Sequence, residues 1–319
     1  MKNSSLHFLA VLSSTFFLLH CSEEKHSELQ MAPQQSLSIN FSRWQAGQTY
    51  TLDMAKSDFA SIITGQPQVA RNQNISIDAN KNLSFRQEPG KVAATGGGGQ
   101  ILIPIQPSNE YTLEYQVYFD GNGGDYHWTW GGKLPGVGGG KTYFGGEAAN
   151  AGDGFSARFM FGGGGRIFAY TYHKDMPGKY GDPMGIVKLN AFQSNKWHSV
   201  RVYYKLNTGS NFDGVLRAWV DGALVGEKTD VRYRTNASQI DLLHIPIFHG
   251  GQGPDYEPNK EQYIKISNIY LSWQAASASQ SIAQTYQASV GGYTCEEQKS
   301  WNKCSEQWMT PVCDYVCRQ

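Results

Sequence analysis

Charge is what this chain has least of. Only 17% of its 319 residues are Asp, Glu, Lys or Arg, and 27 basic side chains are matched by 27 acidic ones. A chain with no net sign has no general affinity for nucleic acid or an anionic membrane, so any attraction for a polyanion must come from a local cleft. Long helical periodicity is also missing between about residues 37 and 274, which excludes a helical bundle. The strands contain no Glu-x-Asp or Glu-x-Glu pattern of the kind a glycoside hydrolase needs to set two carboxylates across a groove. No G-x-S-x-G turn activates a serine, no calcium-loop spacing surrounds Asp153, Asp182, Asp255 or Glu257, and no C-x-x-C pair offers a zinc site. No internal repeat is visible. Cysteine is scarce, with five in all, four of them crowded into the last 25 residues.

What the chain does have is 36 Gly, 18 Tyr, 15 Phe and 8 Trp, the composition of strands joined by glycine turns. Strands are expected at Thr112 to Phe119, Phe155 to Phe161, Ile167 to Tyr172, His198 to Leu206, Val215 to Val220 and Tyr263 to Trp273. The expected fold is all-β, a single jelly-roll β-sandwich over residues 37–274 whose concave sheet carries the site.

Alternation singles out that site. Residues two apart in a strand share a face. In FSARFMF, Phe155, Ala157, Phe159 and Phe161 take the apolar face, leaving Ser156, Arg158 and Met160 on the other. Tyr170 and Tyr172 form a second pair, and Lys133 lies just upstream in the segment Gly131-Gly132-Lys133-Leu134-Pro135-Gly136. On its own, a Gly-Gly-Lys tripeptide is a turn and Tyr-x-Tyr is ordinary β-packing. Together the set suits β-elimination on a uronate, which removes the C5 proton beside a carboxylate and expels the C4 glycosidic oxygen. Arg158 and Lys133 would neutralise the carboxylate, a phenol would be base and acid, and no metal is needed.

These residues carry a resemblance. GGKLPG, FSARFMF, RIFAYTYH from Arg166, NKWHSVRVYYKLNTG from Asn195, GVLRAWVDG from Gly214, FHGGQGPDYEP from Phe248 and the closing strand YIKISNIYLSW together resemble polysaccharide lyase family 14, the alginate lyases and related glucuronan-type lyases. The resemblance implies a jelly-roll lyase that uses no cofactor and acts on an acidic polysaccharide. It also implies an active-site set of Lys133, Ser156, Arg158, Tyr170 and Tyr172. Tyr172 is put ahead of Tyr170 as the base, and Ser156 is read as a positioning group. The chain departs from the family at Gly138 to Gly140 and Gly162 to Gly165, where the family carries a more polar hairpin. The alternative reading is a non-catalytic carbohydrate-binding jelly roll. Trp128 and Trp130, with Tyr126, are candidates to stack on sugar rings. His127, His173 and His249 are candidates to line the groove, though a lone histidine is more often structural.

The ends are read separately. Met1-Lys2 and the apolar run Phe8 to Leu19 resemble a signal peptide over residues 1–21, too short to span a bilayer securely. Secretion is therefore expected, with an outer-membrane lipoprotein anchored through Cys21 as the alternative and a monomer as the expected state. Residues 22–36 read as a polar linker and 275–292 as a small-residue linker. Residues 293–319 read as a disulfide-rich module holding Cys295, Cys304, Cys313 and Cys317. Four cysteines allow three pairings. The tail resembles a sea-anemone-toxin-like module lacking its outermost cysteine pair, which would imply Cys295 to Cys313 and Cys304 to Cys317.

Overall fold

The computed structural model describes residues 34–274. The expectations for residues 1–33 and 275–319, including Cys21 and the four-cysteine tail, lie outside them. The described residues form one short α-helix, α1 (Leu52–Asp58), four single-turn 3-10 helices and fifteen strands. In chain order the strands are β1 (Gln34–Ile39), β2 (Gln68–Ala70), β3 (Ile75–Ile77), β4 (Leu83–Gln87) and β5 (Gly99–Ser108). Then come β6 (Glu110–Asp120), β7 (Gly132–Gly140), β8 (Gly154–Gly162), β9 (Arg166–Tyr172) and β10 (Val187–Lys188). The last five are β11 (Trp197–Lys205), β12 (Gly214–Val220), β13 (Ala223–Val231), β14 (Ile240–Ile247) and β15 (Gln262–Gln274). The sandwich begins at Gln34, three residues inside the stretch read as polar linker. Its first strand has little apolar pattern of its own and owes its form to pairing with β15, from Gln34 opposite Gln274 to Ile39 opposite Ile269.

All strand pairs are antiparallel and fall into two sheets. One runs β13-β12-β11-β6-β15-β4-β3, with β1 on the far half of β15; the other runs β10-β9-β8-β7-β14-β5-β2. This is the all-β sandwich expected from composition. The core lies between the sheets because each strand turns its apolar parity inward. On β6, Tyr111, Leu113, Tyr115, Val117 and Phe119 are buried while the residues between them are only half-buried. The helix α1 is not among the elements expected from the sequence; its buried Met54 and Ala55 join this core, and its first turn is capped by the Thr51 hydroxyl accepting from the Met54 N–H at 3.3 Å.

One irregularity positions the site. β7 slips register against β8 between Leu134 and Val137. In a regular strand Val137 would share the face of Lys133; the bulge across Pro135-Gly136 re-phases the strand so that Leu134 and Val137 both enter the core. Gly136 allows this because a Cβ there would lie 2.2 Å from the Ala157 carbonyl oxygen.

Candidate active site

The face of the seven-stranded sheet turned away from the core holds a cleft of about 840 Å³, lined among others by Lys133, Arg158, Met160, Tyr170 and His244. Strand register brings these together. Lys133 of β7 sits opposite Met160 of β8, Arg158 opposite Tyr170 of β9, and His244 of β14 opposite Gly136. The Lys133 backbone is fixed by donating to the Phe248 carbonyl at 2.8 Å. Its Nζ lies 3.1 Å from the centroid of the Tyr170 ring and 3.0 Å from Met160 Sδ. The Arg158 guanidinium carbon is 5.8 Å from the ring centres of both Tyr170 and Tyr172, which meet edge to face at 5.6 Å.

The electrostatics are unusual. Lys133 is 8% exposed and Arg158 2%, and among the described residues neither has a carboxylate partner. Arg158 Nε has no hydrogen-bond partner. Burial, then the Arg158 charge, pushes the Lys133 ammonium well below the ordinary lysine range. Burial pulls Arg158 down to about 10 against the two phenols, which favour its charge. The Tyr170 phenol moves the other way, raised by burial and then by its hydrogen bond and charge interaction with Tyr172. An ammonium over a π-face is favourable in itself, yet desolvation prevails here.

The remaining expected residues divide sharply. Ser156 is fully buried and its hydroxyl donates to the Tyr143 carbonyl at 2.6 Å, outside the cleft lining. Tyr172 is also fully buried, packed with Tyr143, Ala149 and Met176, and its hydroxyl accepts from the Gly146 N–H at 3.3 Å. Tyr170 rather than Tyr172 faces the cleft, with the Gly181 backbone against its ring, where any Cβ would come within 2.5 Å. Trp130, 59% exposed, stands at the cleft rim beside Tyr256. Trp128 instead packs on the core against Phe119, Tyr126 and Phe161.

No sequence-nominated histidine lines the cleft. His249 is fully buried, bonded to Thr129, Tyr126 and Gln262, and driven down to about 3 by burial and then the His127 charge. His127 accepts from the Asn259 N–H at 3.1 Å, and His173 is paired with Asp182 at 3.0 Å. The histidine that does line the cleft is His244, which is not among the residues expected from the sequence. Its signal is parity: in IDLLHIPI, Leu243, Ile245 and Ile247 face the core and His244 cannot. Phe144, Arg166, Tyr180 and Tyr256 also line the cleft, and all lie in loops or at strand ends where period-2 reasoning says nothing. Among the described residues no group of three His, Cys, Asp or Glu side chains is placed to hold a metal ion.

Comparison with known proteins identifies the family and the fold. The family model for Polysaccharide lyase 14 matches residues 91–269, a span that includes all five residues of the expected set. No curated protein matches the sequence significantly. Among solved structures, alginate lyase Aly36B is 30% identical with a TM-score of 0.65, over 74% of this chain and 96% of that one. A double mutant of that lyase, in complex with an alginate tetrasaccharide, is 29% identical with a TM-score of 0.66, over 76% and 98% of the two chains. The alginate lyase of Aplysia kurodai, at 21% identity and a TM-score of 0.57 over 73% and 97%, shares the fold. With the family model matched over more than half of the chain, and Lys133, Arg158 and Tyr170 inside that match, the chain belongs to the polysaccharide lyase 14 family.

Proposed function

We propose that this chain is a secreted lyase that cleaves a uronate polymer, mannuronate-rich alginate or glucuronan, by β-elimination. The observation that carries the reading is the pair of buried cations without carboxylate partners, Lys133 and Arg158, on one cleft wall. Uncompensated buried charge costs several kcal/mol. Arg158 keeps its charge and gains from an anion delivered by the substrate, a uronate carboxylate fitting its planar fork, while burial beside it disfavours the charged form of Lys133.

The chemistry follows from the protonation states. Arg158 neutralises the carboxylate and so acidifies the C5 hydrogen. Lys133, which burial and the Arg158 charge hold below the usual lysine range, gives up its own proton more readily than an ordinary lysine and, as the free amine, takes the C5 proton on Nζ. The C5–H electron pair becomes the C4–C5 double bond, and the C4–O bond breaks. Tyr170, whose phenol is raised and stays protonated, gives its proton to the departing oxygen and regains one from Lys133. This reverses the sequence expectation of a phenolate base, because burial acts in opposite directions on a phenol and an ammonium. Base and acid lie against one another, at 3.1 Å from Nζ to ring centre, so both act from one side of the sugar. In mannuronate and glucuronate the C5 hydrogen and C4 oxygen leave from the same side, which supports these over guluronate.

The test is to incubate the purified chain with mannuronate-rich alginate, guluronate-rich alginate and glucuronan while following ultraviolet absorbance of the C4–C5 unsaturated ends. Absorbance should rise fastest on one of the same-side polymers. Faster cleavage of guluronate blocks overturns the stereochemical argument; no rise on any polymer leaves the non-catalytic binding module.

A further inference from the structure

His244 is a buried, titratable cleft residue that the mechanism does not use. It is 2% exposed, and neither Nδ1 nor Nε2 has a hydrogen-bond partner in the protein. It lies on the floor of the cleft with Lys133 and Arg158 beside it, and the Phe144 ring stands at 64° to the imidazole, 6.4 Å between centres. Burial first, then the charges of Arg158 and Lys133, keep its proton affinity well below that of an ordinary histidine. The imidazole is accordingly neutral and offers one N–H donor and one lone-pair acceptor in the same ring. Buried polar atoms in folded proteins are normally met, and two unmet atoms on one side chain facing a cleft point to a ligand that meets them.

The donor and acceptor pair limits what that ligand group is. A carboxylate or sulfate only accepts; it would satisfy the N–H and turn a lone pair toward the other nitrogen. A sugar hydroxyl both donates and accepts, and the ring hydroxyls of a uronate adjoin the carbons that carry the carboxylate and the scissile oxygen. An O-acyl group removes the hydroxyl hydrogen, so the acceptor nitrogen of the ring stays unmet, and adds bulk at that position.

Resting on the lyase reading above, we propose that His244 is a specificity-determining residue whose two ring nitrogens bond free ring hydroxyls of the uronate held by Arg158, so that the enzyme rejects units O-acetylated at those positions. Wild-type protein should cleave deacetylated polymannuronate at least about tenfold faster, in kcat/KM, than the same polymer O-acetylated at C2 and C3, the scale of one lost hydrogen bond plus steric exclusion. His244→Leu should lose about tenfold or more on the deacetylated polymer, chiefly through KM, and the ratio between the two polymers should collapse toward one. His244→Gln, which keeps one donor and one acceptor, should recover part of both. His244→Ala, which leaves open space in place of the ring, reads the same loss if the leucine variant does not fold.

Calorimetric binding of a mannuronate trisaccharide needs no turnover and separates this assignment from the lyase reading. If no uronan yields unsaturated product but the trisaccharide binds wild type and not His244→Leu, the lyase reading fails and the hydroxyl contact stands. Equal trisaccharide binding by wild type and His244→Leu, or unchanged discrimination between free and acetylated polymer in that variant, overturns the assignment.

Discussion

On the outward face of the eight-stranded sheet, Arg217 pairs with Glu227 at 2.6 Å, Arg86 with Glu261 at 2.6 Å and Lys265 with Asp120 at 2.8 Å. On the outward face of the seven-stranded sheet, Lys133 and Arg158 are more deeply buried and have no such partners among the described residues. The two faces come from the same alternating pattern in the same sandwich. What separates them is cover and partners: loops around Tyr143 and Met176 close over one end of the seven-stranded sheet, while the other sheet stays open to solvent, where its cations are screened and neutralised. The comparison teaches that the site is marked less by having cations than by leaving them unmatched where water cannot compensate.

The strongest way to break this contrast is to remove the unmatched charges. Lys133→Ala and Arg158→Ala should each lower turnover on the preferred polymer by about a hundredfold or more, the scale of a lost electrostatic or acid–base group. Their melting temperatures should not fall below wild type, because deleting an uncompensated buried charge relieves a penalty. Near-normal turnover in either variant, with native circular dichroism, would remove the basis for assigning the cleft.

Next in size is the division between the two tyrosines. Tyr170→Phe should lose about a hundredfold in kcat, the lower range for a general acid, while Tyr172→Phe should keep most of its activity and lose chiefly the contact to the Gly146 N–H. The sequence makes the pair visible and puts Tyr172 first, though no periodicity places either phenol nearer the reacting carbon. Parity sets Tyr170 and Tyr172 on one face, with Ser156 and Arg158 opposite them, and the structure has this register. The burial of Ser156 and Tyr172 comes from Tyr143, Ala149 and Met176, contributed by the irregular loops before β8 and after β9, where no periodicity announces such a lid. Trp128 was misread for a related reason: its partners Phe119 and Phe161 belong to two different sheets, so only the packed sandwich reveals it as core. His244 was hidden in an apolar strand and becomes legible only once its alternation is counted against β7.

A pH experiment sharpens the contrast with a smaller effect. Below the lowered Lys133 value the ammonium is charged in both folded and unfolded states, and the burial penalty is fully present. As pH rises from there toward the ordinary lysine value of about 10.4, the folded protein loses the proton first, so stability rises. Lys133→Met should lack this increment, seen as a convergence of the two melting curves with increasing pH. Activity should rise over the same interval as the free amine forms. Because the Arg158 charge helps lower Lys133, Arg158→Leu should move the rising limb of its residual activity to higher pH. A limb that stays in place in that variant, but disappears in Tyr170→Phe, would restore the phenolate as base.

The smallest effect is expected on the paired face, at Lys265. Its ammonium bonds Asp120 at 2.8 Å and lies 3.6 Å from Asp78, with both partners partly exposed. Burial opposes the charge on each member, but the hydrogen bond and mutual attraction win, raising Lys265 and lowering Asp120. A raised lysine stabilises below its unfolded value of about 10.4 and loses that contribution as pH climbs through the folded value; a lowered aspartate stabilises above about 3.9 and loses it as pH falls through the folded value. Lys265→Met should therefore cost about 0.5 kcal/mol across the neutral range, shrinking at both extremes and in molar salt, with kcat and KM unchanged on every uronan. A loss of activity comparable to that of Lys133→Ala would mean that the paired face also contributes to binding the polymer, and the contrast between the two sheets would no longer identify the site.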